Sequence, residues 1–581
     1  MINRREFVQL LSFAAVSGML PRSSWSNPQQ LYDVPAFGNT RLLHFTDCHA
    51  QLMPIYFREP NVNIGLGKSF GRPPHLVGRS LLEHFNLPSD SRLAHAFTHL
   101  QFNEAVEKFG KVGGFAHLAT LIKQLREAVG NNQSLLLDGG DTWQGSGTAL
   151  KTQGMDMVGA CNLLGVDIMT GHWEFTYQDK QVLKNIQAFN GEFIAQNVFA
   201  TEEALFDGAE VYDEDSAHVF PPYTIKELAH SRIAVIGQAF PYTPVANPKR
   251  FIPDWTFGIN EAELQTIVNE IRESHSPDAV ILLSHNGADV DIKMAGAVNG
   301  IDVIMGGHTH DGIPHALEVN NSQGITLVTN AGSNGKFIGV MDLDIKQSKI
   351  KGYQYKLLPV FSNLLDIDQD MQTYIDKVRE PYSDWLSEEL GTTETTLYRR
   401  GNFNGTFDQL ICDALCQEND AQISLSPGFR WGTTLPHNQT ITMEHVLDQT
   451  CMTYPETYRR EMSGHNLKLV LEDVCDNLFN LNPYYQQGGD MVRVGGMNYT
   501  CKPNESIGQR IENMTLDDGT LIDENKNYVV AGWATVNTKA PGPPVWEQVA
   551  NYIKNQDSIH ISKLNTPKLI GVDNNPGIEF S

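Results

Sequence analysis

Five polar corners recur along the chain, each closing a short apolar run. Asp47-Cys48-His49 follows RLLHF, Gly140-Asp141 follows SLLLD, and Gly171-His172 follows VDIMT. Ser284-His285-Asn286-Gly287 closes AVILLS, and Gly306-Gly307-His308-Thr309-His310 follows IDVIM. Two carboxylates and five imidazoles are enough to hold two divalent ions, with one carboxylate bridging them, as hydrolytic two-metal centres require. In D-x-H and H-x-H, alternate residues converge on one ion when the backbone is extended, or reach neighbouring ions when it turns. The adjoining glycines let such loops approach one another without side-chain obstruction. One D-x-H would mean little; five corners of this kind in a single stretch of chain point to a metal-dependent hydrolase.

The runs that carry these corners are short, apolar and poor in charge, which marks buried strands. Polar loops at the carboxyl ends of such strands are where α/β proteins collect reactive groups. Between them, residues 115–129 (FAHLATLIKQLREAV) and 261–273 return apolar side chains every three or four positions and predict helices. Asp366–Leu390 reads as one or two helices interrupted at Pro381. After Gly391 the texture shifts to fewer histidines and more Asn, Gly and Tyr. With 581 residues the chain should hold at least two domains. The expected division is a metal domain over 35–360, a helical linker over 361–391 and a second α/β domain over 392–575.

Composition narrows the class further. Lys and Arg number 43 against 68 Asp and Glu, a formal charge of −25, which disfavours gripping a nucleic-acid backbone. With 41% hydrophobic and 19% charged residues, the chain is that of a folded protein. Arg4-Arg5 ahead of a weak apolar segment, Val8 to Leu20, resembles a twin-arginine export signal covering residues 1–27, and so predicts a periplasmic protein. The segment is too short to span a bilayer, and no later stretch reads as an integral membrane segment. Seven cysteines lack the paired spacing of a zinc ribbon; Cys412 and Cys416 read as packed thiols in a helix, and Cys48 stands beside two ligand candidates.

On these motifs the chain resembles the calcineurin-like metallophosphoesterase superfamily, in particular its periplasmic 5'-nucleotidase branch. The resemblance implies a four-layer α/β/β/α metallophosphoesterase domain, joined by a helical linker to a 5'-nucleotidase-like C-terminal α/β domain. It implies one metal site at Asp47, His49 and His310, a second at His172, His285 and His308, and Asp141 as the bridge. Asn197, in AQNV, also matches a family segment. Arg430 matches a substrate-anion arginine of the second domain, and a guanidinium there could bind an anion through two hydrogen bonds.

The chain departs from the nucleotidases at one telling place. Their N-H-E-F-D becomes His172-Trp173-Glu174-Phe175-Thr176, so the asparagine ligand becomes His172, whose imidazole nitrogen can still bind a metal, while the histidine–aspartate pair that assists phosphate chemistry is lost. That segment, together with GGDTWQGSG, SPGFRWG at 426–432 and the twin-arginine leader, resembles the SoxB thiosulfohydrolases of the periplasmic sulfur-oxidation system. The resemblance implies release of sulfate, with water as co-substrate, from a cysteine-linked thiosulfonate on the SoxYZ carrier, with two manganese ions. A sulfur leaving group needs less protonation than an alkoxide, since an ordinary thiol has a pKa near 8.5. Trp173 serves as a wall of the substrate channel or as core packing, and Trp431, Tyr454 and Tyr499 line the entrance or a packed domain seam. A metal-dependent 5'-nucleotidase or phosphomonoesterase is the alternative, and the absence of a Pro-Phe-Gly-Asn segment near Tyr454 weighs against it.

Overall fold

The computed structural model describes residues 31–130 and 132–580. The expected leader over residues 1–27 lies outside the described residues.

Two six-stranded sheets carry all five corners. In the first, the strand order is Ile350–Pro359, Phe337–Ile345, Thr40–Phe45, Ser134–Asp138, Ile168–Met169 and Glu192–Phe193. In the second it is Leu317–Asn320, Ile325–Asn330, Val303–Gly306, Ala279–Ser284, Arg232–Gln238 and Tyr223–Glu227. Within each, the central strands run parallel: Leu43 pairs with Leu136, and Leu282 with both Ile236 and Ile304.

Strand alternation explains why both faces of each sheet are apolar. Leu42, Leu135, Leu137, Ile233, Val235, Ile281, Leu283 and Val303 share one buried cluster, the seam between the sheets. Their neighbours turn outward: Leu43, Phe45 and Leu136 pack against the Phe115–Glu127 and Met155–Leu164 helices, while Ala234, Ile236, Val280 and Leu282 pack against Glu261–Ser274 and Ala288–Ala297. The layers therefore run α/β/β/α. The two helices predicted from periodicity are present, ending at Glu127 and Ser274.

Past the second sheet, the Gln369–Arg379 helix gives way at Glu380–Tyr382, where Pro381 begins a short 3-10 turn before Ser383–Leu386. The following unit centres on a four-stranded sheet, ordered Thr457–Ser463, Asn527–Trp533, Ile423–Ser426 and Arg493–Gly495. The helices Thr406–Glu418 and Val545–Lys554 share one apolar cluster with it, and the helix Gly464–Phe479 shares another. At its end the chain returns to the first unit, where Asn63 N–H donates to Gly577 O and Glu579 N–H to Asn61 O. Among the described residues no helix is long and apolar enough to cross a membrane. All seven cysteines are free thiols, six of them buried.

One buried ion pair ties together two adjacent inner strands of the first sheet, Thr40–Phe45 and Phe337–Ile345. Arg41 is fully buried; its Nε donates to Asp342 Oδ1 and its Nη2 to Asp342 Oδ2, both at 2.7 Å, while Nη1 donates to Leu125 O. Removing one member of such a pair strands the other's charge in an apolar surrounding. Arg41→Met should therefore lower unfolding stability by about 3–5 kcal/mol in chemical denaturation, and a loss below about 1 kcal/mol would contradict this reading.

Candidate metal centre

The two sheets meet the second unit at their carboxyl ends, and all seven candidate ligands converge there. One group comprises Asp141, His172, His285 and His308; the other comprises Asp47, His49, Asp141 and His310. Within each group the candidate ligand atoms lie within 4.8 Å of one another, and every residue is buried. Asp141 belongs to both.

Backbone strain reveals how tightly these side chains are placed. Asp47, His49, Asp141, His308 and His310 all sit at left-handed φ, between 46° and 71°, a region that costs non-glycine residues energy and persists only where surroundings enforce it. Here the loops hold each other: Asp47 N–H donates to Gly140 O, His49 N–H to Asp141 O and Asn334 N–H to Asp47 O, each at 2.8 Å. Asp138 shapes the Asp141 corner by accepting from Gly140 N–H and Thr142 Oγ1. Gly307 is required for space, since a Cβ there would collide with Thr46 Oγ1 and come within 2.9 Å of Asp47 Oδ2.

Hydrogen bonds behind the ligands orient their lone pairs. His285 Nδ1 donates to Gly139 O (2.6 Å) and His49 Nδ1 to Gln144 O (3.2 Å); a carbonyl can only accept, so each ring presents an unprotonated Nε2 when neutral. Asp141 Oδ1 accepts from Trp173 N–H at 2.7 Å. Its Oδ2 faces inward, 3.0 Å from His285 Nε2, 3.2 Å from His172 Nδ1 and 3.8 Å from His49 Nε2. Asp47 accepts from Thr46 Oγ1 and His308 N–H and lies 3.2 Å from His310 Nε2.

The electrostatics suit cation binding. Burial pushes His49 down to about 4 and holds His308 and His310 well below the ordinary imidazole value, which keeps their lone pairs free. Burial would lower His285 too, but Asp141 and Asp47 outweigh it and push it up to about 10. Burial would raise Asp141, yet His172 and His285 bring it well below the usual carboxylate range. His172 Nε2 and both nitrogens of His308 are buried with no hydrogen-bond partner among the described residues. His49 Nε2 lies 3.1 Å from His310 Nε2, so two imidazole nitrogens face one another. Orphaned, converging nitrogens around a shared carboxylate are costly to bury unless they bind a cation, and the set fits two divalent ions.

Glu174, which sequence reasoning missed, ties the centre together. Its buried carboxylate accepts from four backbone N–H groups, those of Asp141, Thr142, Trp143 and His172. It thus locks the Asp141 corner to the His172 corner. Its sequence signal was its place two residues after a candidate ligand, where the glutamate of the nucleotidase N-H-E-F-D segment is kept. Phe240 was also missed: its ring stacks on His308 at 4.0 Å between centroids and lies 4.1 Å from His172.

A cavity of about 380 Å³ opens onto the ligands Asp141, His172, His308 and His310. Trp173, Phe429, Arg430, Trp431 and Tyr454 form part of its wall. Tyr454 is committed to Ala246 O through a 2.5 Å hydrogen bond. Tyr499, expected near the entrance, is instead buried in the core of the second unit with Cys475 and Met497 and does not line this cavity. Asn197 straps two loops, donating to Ala239 O and Gly258 O. Cys48 is fully buried, and burial pushes its thiol well above its ordinary value, which leaves little reactive thiolate.

Two substitutions test this construction. Asp141→Asn removes the charge of the carboxylate that belongs to both ligand groups and should abolish turnover and lower bound metal while the far-ultraviolet circular dichroism is retained; near-normal metal content and turnover would remove Asp141 from the site. Glu174→Gln should weaken metal binding about 10–100-fold, the usual cost of losing a ligand-orienting partner, as read by chelator competition. Unchanged affinity would make Glu174 a bystander.

Comparison with known proteins agrees with this geometry. Residues 389–546 match the family model for the 5'-nucleotidase C-terminal domain. The solved Thermus thermophilus sulfate thiohydrolase SoxB superposes with a TM-score of 0.86 at 33% identity, covering 93% of this chain and 98% of that one. The bovine 5'-nucleotidase is 24% identical over 439 residues, covering 69% of this chain and 72% of the relative. The trifunctional nucleotide phosphoesterase YfkN of Bacillus subtilis is 25% identical over 484 residues, and there the chain spans only 31% of the relative's length. With a fold and a ligand set of this kind, and a third of its residues identical over nearly the full length of a solved member, the chain belongs to the SoxB family within the 5'-nucleotidase and metallophosphoesterase superfamily.

Proposed function

We propose that the protein is a thiosulfohydrolase, which releases sulfate from a cysteine-linked thiosulfonate on a SoxYZ carrier. The observation that carries this reading is the fate of two side chains beside the metal ligands. Where the nucleotidase pattern has histidine and aspartate, Trp173 packs edge-on against Trp431 and Phe429, and Thr176 Oγ1 bonds to Thr453 Oγ1. Neither can protonate a departing alkoxide, whereas a sulfur anion departs without that help.

Two divalent ions, which we take to be manganese, would acidify water and draw charge from the sulfonate oxygens. Asp47, His49, Asp141 and His310 would hold one, and Asp141, His172, His285 and His308 the other. Arg430 would bind the sulfonate: its Nη2 donates to Gly489 O (3.0 Å) and its Nε to Asp490 Oδ1 (3.4 Å), while Nη1 is without a partner among the described residues. Trp173, Phe429 and Trp431 would exclude bulk water and form the apolar wall along which a carrier segment lies. In the reaction, water oxygen would bond to the sulfonate sulfur as its two protons pass to solvent, the sulfur–sulfur bond would break, and the electron pair would leave on the carrier persulfide.

In this reading residues 1–27 direct export to the periplasm, 35–360 form the catalytic domain, 361–391 link it, and 392–575 bind substrate. Metal-replete protein should release sulfate from the carrier thiosulfonate far faster than phosphate from AMP, and chelation should abolish both activities until manganese is restored. Efficient AMP hydrolysis with no sulfate release would favour the 5'-nucleotidase reading, whose support is the sequence kinship with the bovine enzyme.

A further inference from the structure

Trp431 stands beside the anion-binding arginine and is buried to 1% exposure, yet its Nε1 has no hydrogen-bond partner among the described residues. An indole N–H buried without an acceptor is unfavourable, and buried indoles ordinarily find one. The residue lines the cavity that also exposes His308, His310 and Arg430. Its ring is held on three sides: stacked on Phe429 at 4.0 Å and 19°, against the edge of Trp173 at 5.3 Å, and 5.4 Å from His49, itself a candidate ligand. The ring is therefore fixed in the cavity wall, its N–H unpaired, before any ligand arrives. Held donors of this sort stabilise charge without the cost of reorganising.

We infer that the Trp431 indole N–H is a substrate-contacting donor, which hydrogen-bonds an oxygen of the sulfonate undergoing hydrolysis and of the sulfate produced. This rests on the thiosulfohydrolase reading for the identity of the anion. The chemistry favours a neutral donor at this position. Two metal ions and Arg430 already supply positive charge, and another cation would bind the doubly charged product more tightly than the singly charged sulfonate and slow its release. An indole adds direction without adding charge. It also tolerates the dry aromatic wall formed by Phe429 and Trp173, where an ammonium would be costly to desolvate.

The test uses metal-replete, full-length protein and inorganic sulfate as the probe, with affinity read by calorimetry. Two variants are compared with wild type: Trp431→Phe, and replacement of Trp431 by β-(3-benzothienyl)alanine, in which a ring sulfur takes the place of the N–H. Both should bind sulfate about 10–100-fold more weakly, the usual consequence of losing a hydrogen bond to a charged partner, while metal content and thermal unfolding stay at the wild-type values. For the thiosulfonate carrier, kcat/KM should fall by a similar factor. Wild-type sulfate affinity in the benzothienyl variant would overturn the inference, even if Trp431→Phe were impaired, because the ring's shape would then be what matters. A wild-type protein with no measurable sulfate affinity would overturn it as well. Failure of the wild-type enzyme to release sulfate from the carrier would strike the thiosulfohydrolase reading, while the sulfate affinities of the variants would still decide the role of Trp431.

Discussion

Asp141 must serve two ligand groups with a single oxygen, and much of the surrounding structure answers that demand. Its Oδ1 is taken by the Trp173 N–H, so Oδ2 alone is left to face His285, His172 and His49. That orientation needs a left-handed backbone at Asp141, with φ at 57°. The strain is sustained by Asp138 beneath the turn and by Glu174, which accepts the N–H groups of Asp141, Thr142 and Trp143. The same Glu174 carboxylate holds His172 N–H, so Asp141 and one candidate ligand of the second group share a single support. Displacing that carboxylate would disturb both groups at once.

The second unit completes the centre from the other side. The segment after the Ile423–Ser426 strand brings Phe429, Arg430 and Trp431 to the cavity wall, and polar contacts fix it against the first unit. Asn334 Nδ2 donates to Gly432 O, Gln144 Nε2 to Cys451 O and Gln51 Nε2 to Asp448 Oδ1. Asp490 is shared by Arg430 and Arg493, and although burial alone would raise it, these guanidiniums bring its carboxyl below its usual value. Arg430 is thus aimed by a buried carboxylate rather than left to swing in solvent. The proposed anion site would draw on both units: candidate metal ligands from one, and the guanidinium and indole donors from the other.

The corners were legible because a ligand after a buried strand leaves a local mark: an apolar run, a glycine, then Asp or His. The helices over 115–127 and 261–274 were legible for a similar reason, since their apolar period lies within one segment. What could not be read arises between segments distant in sequence. Glu174 looks like any glutamate in a short turn, and its role appears only when the Asp141 corner, 33 residues earlier, folds over it. Phe240 reads as an ordinary strand-end aromatic until it meets His308. Tyr499 occurs in a polar, Tyr-bearing stretch like those of the cavity wall, but strand alternation turns it into the core. The return of Gly577–Glu579 to Asn61–Asn63 likewise has no local signature, because strand-like pairing over such a distance is set by topology.

The account stands on a dinuclear centre with Asp141 between its ions. Anomalous diffraction from crystals of the manganese-loaded protein measures this directly. Two peaks are expected, one enclosed by Asp47, His49, Asp141 and His310 and the other by Asp141, His172, His285 and His308, with Asp141 contacting both. A single peak, or a second peak away from these residues at full manganese loading, would contradict it.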